Sequence, residues 1–236
     1  MIDTVFFDLD GTLLPMDQDE FLNDYMGRLA KRLAPQGYDP KHLIAAVWAG
    51  TSAMIQNDGK KTNEEVFWDD FCTIFGQQAR KDLPLFEEFY ATDFALVQTS
   101  CGFDPAAAEV AGLLKEKGVM MVLATNPLFP AIATRQRIRW AGLDIGDFAD
   151  VTTYENSRYC KPNPEYYREL LKALDRKPEN CLMVGNDVGD DMLPARAVGM
   201  QTFLLTNCLI NKTGHSIDEF NHGGFEELKA FLTANI

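Results

Sequence analysis

The chain has little that would tie it to a membrane, a metal-thiolate site or nucleic acid. No apolar run in the sequence approaches the roughly 20 residues needed to span a bilayer. Met1 leads almost directly into a predicted strand, so no signal peptide and a cytoplasmic location are expected. The three histidines, His42, His215 and His222, form no ligand cluster, and zinc is not expected. The five cysteines, Cys72, Cys101, Cys160, Cys181 and Cys208, include no CxxC pair, and their odd number fits reduced thiols better than disulfides. Cys160 has a basic neighbour in Lys161, but the expectation is an unreactive thiol. Basic residues are also few: 22 Lys and Arg stand against 35 Asp and Glu, a net charge of -13 that argues against nucleic acid or an anionic membrane as partner. A small phosphorylated ligand would need local compensation from a divalent cation, a lysine or backbone N–H groups. There is no internal repeat or low-complexity tract.

What is present is ordinary globular composition, with 46% hydrophobic and 24% charged residues, over a length of 236 that suits one large or two modest domains. Ile2 to Leu14 reads IDTVFFDLDGTLL: an apolar run interrupted by Asp8, then Asp10, Gly11 and Thr12. A buried strand would deliver two carboxylates into a tight turn. Carboxylates so placed repel and raise each other's pKa unless a cation or hydrogen-bond donors offset them. Taken alone, the stretch reads equally well as a strand ending in a solvated Asp-Gly turn.

From there to about residue 97 the pattern is helical. Phe21, Tyr25, Leu29 and Leu33 recur at four-residue intervals, with Pro35 and Gly37 as the stop. Asp39 and Pro40 open a second helix with Leu43, Val47 and Trp48 on its apolar side. Thr62 and Glu65 have capping-box spacing ahead of Phe67, Phe71, Ile74 and Phe75. A fourth helix is predicted over Leu83 to Val97. Beyond Asp104 the pattern alternates: helices from Pro105 to Lys117, near Ala131 to Trp140, from Pro164 to about Leu174, over Asp191 to Val198 and over Phe225 to Leu232, with strands at Val119 to Ala124, Val151 to Thr153, Cys181 to Gly185 and Thr202 to Leu205. This predicts an α/β fold, a doubly wound parallel sheet over residues 1–14 and 99–236, with a small helical bundle inserted at 15–98. Ligands of such sheets lie beyond the carboxyl ends of the strands. Asp8 and Asp10, Thr125 and Asn126, and Asn186 and Asp187 fall there.

DLDGT at Asp8 to Thr12, Thr125 after an apolar strand, Lys161 in KPNPE and GNDVGDD at Gly185 to Asp191 stand in an order and spacing that resemble the four motifs of the haloacid dehalogenase-like (HAD) phosphohydrolase superfamily. The resemblance spans essentially the full chain and includes a helical cap between the first and second motifs. It implies Asp8 as nucleophile, forming an aspartyl phosphate, and Asp10 as the acid and base that serves the leaving alcohol and then water. Thr125, with backbone N–H groups at Asn126 and Gly11, would hold phosphoryl oxygens, and Lys161 would offset the repulsion between Asp8 and an anionic substrate. Each has a plainer reading alone: a turn residue for Asp10, a backbone-satisfying hydroxyl for Thr125 and a solvated ammonium for Lys161.

The acidic loop departs from the family pattern, in which aspartate usually follows the glycine directly. Here Asn186 does, and either Asp187 or Asn186 could occupy the metal position. Asp187 is favoured as direct ligand, with Asp191 behind it or orienting Lys161, and Asp190 facing solvent. Asp8, the Asp10 carbonyl and Asp187 would form an oxygen-only site suited to Mg2+. The implied function is a magnesium-dependent phosphatase acting on a small phosphorylated metabolite. A phosphomutase using the same pieces is the alternative, and a non-catalytic phosphate-binding protein a third. The haloacid dehalogenases of the superfamily lack the second aspartate of the first motif and need no metal. Aromatic residues of the cap, Trp48, Phe67, Trp68, Phe71, Phe86 and Phe89 among them, are expected to be bundle core rather than ligand contacts. Neither the substrate nor the oligomeric state is readable from the sequence.

Overall fold

A computed structural model of the chain describes residues 1–236. Its first strand, β1 (Thr4–Phe7), is buried along its whole length, as expected of a strand covered on both sides. It lies inside a six-stranded sheet with β2 (Met120–Leu123), β3 (Asp150–Val151), β4 (Cys181–Gly185), β5 (Gln201–Leu205) and β6 (Asn221–Gly223). The order is β3-β2-β1-β4-β5-β6, and every pairing is parallel. Phe7 aligns with Leu123 on one side and Val184 on the other. Val5, Phe7, Leu123, Leu182 and Val184 face one apolar cluster, whereas Phe6, Val122 and Met183 face a second. That alternation is the two-residue period of a strand read on two buried faces, and it makes this the doubly wound sheet expected from the sequence.

Between β1 and the helix that leads to β2, the structure is helical. It comprises α1 (Gln18–Leu33), α2 (Pro40–Ile55), α3 (Asn63–Phe75) and α4 (Leu83–Ala91), followed by a 3-10 stretch from Asp93 to Ser100. The helix starts follow side-chain chemistry. Asp39 caps α2, and Thr62 and Glu65 form both bonds of a capping box on α3. The remaining helices are α5 (Pro105–Glu116), α6 (Ala131–Trp140), α7 (Pro164–Ala173), α8 (Leu193–Ala197) and α9 (Phe225–Asn235).

Four expectations differ from the structure. The fourth helix stops at Ala91 because Thr92 leaves helical geometry (φ -122°, ψ -75°), and the tighter 3-10 coil then turns Phe94 and Val97 into the core. Trp48 and Ile74, placed on apolar faces by periodicity, are 44% and 50% exposed. The segment 191–198 is a wide turn from Val188 to Met192 followed by a short α8. Strand β6 has no apolar alternation to announce it and pairs as an edge.

One apolar cluster runs from Val5 and Phe7 in the sheet to Phe71, Phe86 and Phe89 among the inserted helices. The start of α3 is also fastened to the α/β part. Asn63 N and Glu64 N donate to Ser157 O and Tyr154 O at 2.8 Å each, and the buried Asn63 amide donates to Pro127 O at 3.3 Å. No helix is long and apolar enough to cross a membrane.

Candidate active site

Strands β1, β2 and β4 end side by side, where the sheet order changes direction. A pocket of about 250 Å3 opens there, lined by Asp8, Asp10, Thr125, Asn126, Lys161, Asn186, Asp187, Asp190 and Asp191 among others. These residues are scattered along 184 positions of sequence, and the parallel register brings them together.

Lys161, 1% exposed, is the positive centre of this acidic pocket. Its Nζ donates to Asp8 Oδ1 at 2.8 Å and to Asp191 Oδ1 at 2.7 Å. Burial alone would push the ammonium down, but the Asp191 and Asp8 carboxylates more than offset it and hold the pKa well above the usual lysine range. Burial likewise pushes Asp191 up, while the Lys161 ammonium and the Asp187 N–H act in the opposite sense. Both Asp191 oxygens are thus engaged, Oδ2 by Asp187 N at 3.0 Å. Gly185 makes room for this: a Cβ there would lie 2.1 Å from Asp191 Oδ2.

Asp8 Oδ2 accepts from Thr12 Oγ1 at 3.3 Å. Asp10, two residues on, meets a partner that the sequence reading missed. The Arg137 guanidinium, fully buried on α6, is paired with Asp10 Oδ2 and lies 4.4 Å from the centre of the Phe129 ring. Asp10 Oδ1 is buried without a hydrogen bond. Burial raises the Asp10 pKa, and Arg137 pulls against it. A signal for Arg137 existed: Ala133, Arg137 and Ala141 share one helical stripe, so a cation stood among apolar positions.

Thr125 is buried, its carbonyl accepting from Thr152 Oγ1 at 2.7 Å and Tyr166 OH at 2.9 Å, while its own hydroxyl donates to no protein group. The backbone N–H groups of Leu9, Asp10, Thr125 and Asn126 have no hydrogen-bond partner in the chain. Free donors at converging strand ends are suited to an anion. Gly11 departs from expectation. Its N–H donates to Leu14 O at 2.8 Å, and it serves the turn through its φ of +82°, with a Cβ there falling 2.4 Å from Asn186 Nδ2. The Asn126 side chain clasps the Lys161 backbone, its Oδ1 accepting from Lys161 N at 3.2 Å.

In the acidic loop, the buried Asn186 is committed to structure: Oδ1 accepts from Thr12 Oγ1 at 3.0 Å, and Nδ2 donates to Cys208 O at 2.6 Å. Asp187 Oδ1 caps the following turn, accepting from Gly189 N at 2.7 Å and Asp190 N at 3.1 Å, and its second oxygen is free. Asp190 does not face bulk solvent as expected. It lines the pocket half-buried, within 3.5 Å of Asn126 Nδ2, and burial beside Asp187 raises its pKa.

No group of three His, Cys, Asp or Glu side chains forms a metal cage. What the pocket offers is sparser: the Asp8 carboxylate, a free Asp187 oxygen and an Asp10 carbonyl that accepts no hydrogen bond. All are hard oxygen donors, and so few of them fit an ion that keeps most of its water, as Mg2+ does. Cys160 lies outside this chemistry, its thiol pushed by burial to about 12.

Residues 2–199 match the model of a family of hydrolases described as haloacid dehalogenase-like. A glyceraldehyde 3-phosphate phosphatase of Methanothermobacter thermautotrophicus is 26% identical over 220 residues, covering 88% of this chain and 87% of that protein. The pyrophosphatase PpaX of Bacillus cereus is 26% identical, with 85% and 82% covered. In three dimensions a 2-haloacid dehalogenase from Pseudomonas syringae pv. Tomato superposes over 99% of both chains with a TM-score of 0.64 at 20% identity, a likeness of fold. With its parallel sheet, the strand-end pocket and a family match over most of its length, the chain belongs to the haloacid dehalogenase-like hydrolases.

Proposed function

We propose that the protein is a magnesium-dependent phosphatase that hydrolyses a small phosphate monoester through an aspartyl phosphate on Asp8. The observation that carries this is the Lys161 ammonium beside Asp8, next to four unpartnered backbone N–H groups and the free Thr125 hydroxyl. Together they supply positive potential for a phosphoryl group where a net charge of -13 would otherwise repel it.

In this reading the phosphoryl oxygens lie on Thr125 and the strand-end amides. Asp8 attacks phosphorus, the bond to the ester oxygen breaks, and Asp10 gives its proton to that oxygen. Water then attacks the phosphoryl group with Asp10 taking its proton, and Asp8 departs as carboxylate. Arg137 orients Asp10 throughout, and Asp191 orients Lys161. Asp8, the Asp10 carbonyl and Asp187 would hold Mg2+, which supplies charge neutralisation at the phosphoryl oxygens. Asp10 sets this chemistry apart from that of the dehalogenases, and the phosphatase named among the relatives supports it. The helices at 15–98 act as a cap over the pocket, to which Gln18, Phe21 and Leu22 already contribute walls.

The test is phosphate release from a panel of monoesters with Mg2+, with EDTA and with the Asp8→Asn variant as blank. Release that needs Mg2+ and vanishes in Asp8→Asn is expected. Turnover by Asp8→Asn overturns the nucleophile assignment, and interconversion of a sugar phosphate without release of phosphate overturns phosphatase in favour of mutase.

A further inference from the structure

A second cavity, of about 800 Å3, lies between the inserted helices and the segment that follows β2. Of its 26 lining residues 18 are hydrophobic, which departs from the dense packing of an ordinary interior. Tyr25, Trp48, Phe67, Trp68, Phe86 and Phe129 supply aromatic walls. Large apolar side chains stand exposed around it, Trp48 at 44%, Ile55 at 42% and Ile132 at 36%. Leu22, Ile55, Leu128 and Phe129 line this cavity and the catalytic pocket alike. A phosphate ester seated at Asp8 therefore has this apolar space as the nearest large volume for its alcohol.

The charges of the lining are nearly all of one sign: Glu64, Glu87, Glu88 and Glu155 against Arg135. Glu88 is paired with Arg32 at 2.5 Å, and Glu155 accepts from Ala131 N at the start of α6. Glu64 has no such partner, and burial together with Glu155, Glu65 and Glu87 raises its pKa. A second anionic group on the substrate would meet four carboxylates, against which Arg135 is the one cation of the lining.

We propose that this cavity is the leaving-group site and that the substrate is a phosphate monoester of a bulky, ring-bearing apolar alcohol without a second anionic group. The proposal rests on the phosphatase reading and names its substrate class. A site of this size and composition is typical of small-molecule pockets, where apolar walls bind and a few polar groups orient.

The experiment compares three primary alkyl esters, so that leaving-group basicity stays nearly constant: ethyl phosphate, 2-(2-naphthyl)ethyl phosphate and pentane-1,5-diol bisphosphate. The naphthylethyl ester is expected to exceed ethyl phosphate in kcat/KM by about a hundredfold, the scale on which a few buried carbons discriminate, and the bisphosphate to fall below both. Trp48→Ala, at a half-exposed wall position, should cut the naphthylethyl-to-ethyl ratio by about tenfold or more, as loss of an aromatic anchor does. In parallel, calorimetry with 2-(2-naphthyl)ethylphosphonate, which cannot be hydrolysed, should show binding with a negative heat-capacity change. Phosphate release without preference for the naphthylethyl ester, or with preference for the bisphosphate, overturns the cavity assignment and leaves the phosphatase. Phosphonate binding without release from any ester overturns the phosphatase and leaves the cavity as an apolar ligand site. Neither binding nor release overturns both.

Discussion

Asp10 and Arg137 show how a buried pair sets what a single side chain can do. The guanidinium is fully buried and shares its site with Phe129, so the pair sits where charge is poorly solvated. Arg137→Met removes the cation that pulls against the raised Asp10 pKa and releases the carboxylate from its fixed position. With Asp10 as the proposed acid and base, phosphatase kcat is expected to fall about tenfold to a hundredfold with KM nearly unchanged, because the position of such a group is felt in the transition state. Arg137→Lys should restore part of kcat, and steady-state kinetics on the three proteins checks both statements. Lys161 carries a larger consequence. Lys161→Met leaves Asp8 and Asp191 facing each other without their shared cation, and a loss of about 3–5 kcal/mol in urea unfolding is expected together with loss of turnover. Retention of wild-type stability would contradict the charged triad read from the 2.7 and 2.8 Å contacts.

At the scale of elements, the start of α3 is one fastening point between the helices at 15–98 and the α/β part, as the Gln136 amide donating to Tyr90 O is another. Asn63 is 0% exposed, accepts from Asn57 Nδ2 at 2.8 Å, and donates to Pro127 O and to Cys160 Sγ. Asn63→Ala strands those buried partners and should cost about 1–3 kcal/mol. In hydrogen exchange, the lost protection should concentrate in α3 and around Tyr154 to Ser157, where the two backbone bonds cross. Most elements were legible beforehand because each carried a local signal: Asp39, Thr62, Asp104 and Asn163 cap the helices that their positions predict. Strand β6 and the wide turn at Val188–Met192 carried none. The first is held by pairing to β5, and the second by Asp187 and Asp191 reaching back to backbone N–H groups, both of which are decided by neighbours.

For the molecule as a whole, the charge of -13 opposes the approach of any phosphate ester, while the compensating Lys161 is buried and acts only at short range. Added salt screens the long-range term first. With Mg2+ saturating, kcat/KM for a dianionic monoester should therefore rise roughly two- to fivefold as KCl goes from about 10 to about 150 mM. A fall over that range would mean that the pocket's own field, and not the net charge, governs encounter.

The sequence by itself determined the parallel α/β sheet, the helical stretch after β1 and the strand ends at which Asp8, Asp10, Thr125 and Asp187 stand, because hydrophobic period, caps and turns are local properties. Only the tertiary structure decided that Arg137 meets Asp10, that Gly11 gives its N–H to Leu14, that Asp190 turns into the pocket, and that Trp48 borders a cavity instead of filling a core. Each depends on which surfaces the folded chain brings within a few ångströms of one another, and residues 127 positions apart, as Asp10 and Arg137 are, leave no trace of that in their spacing.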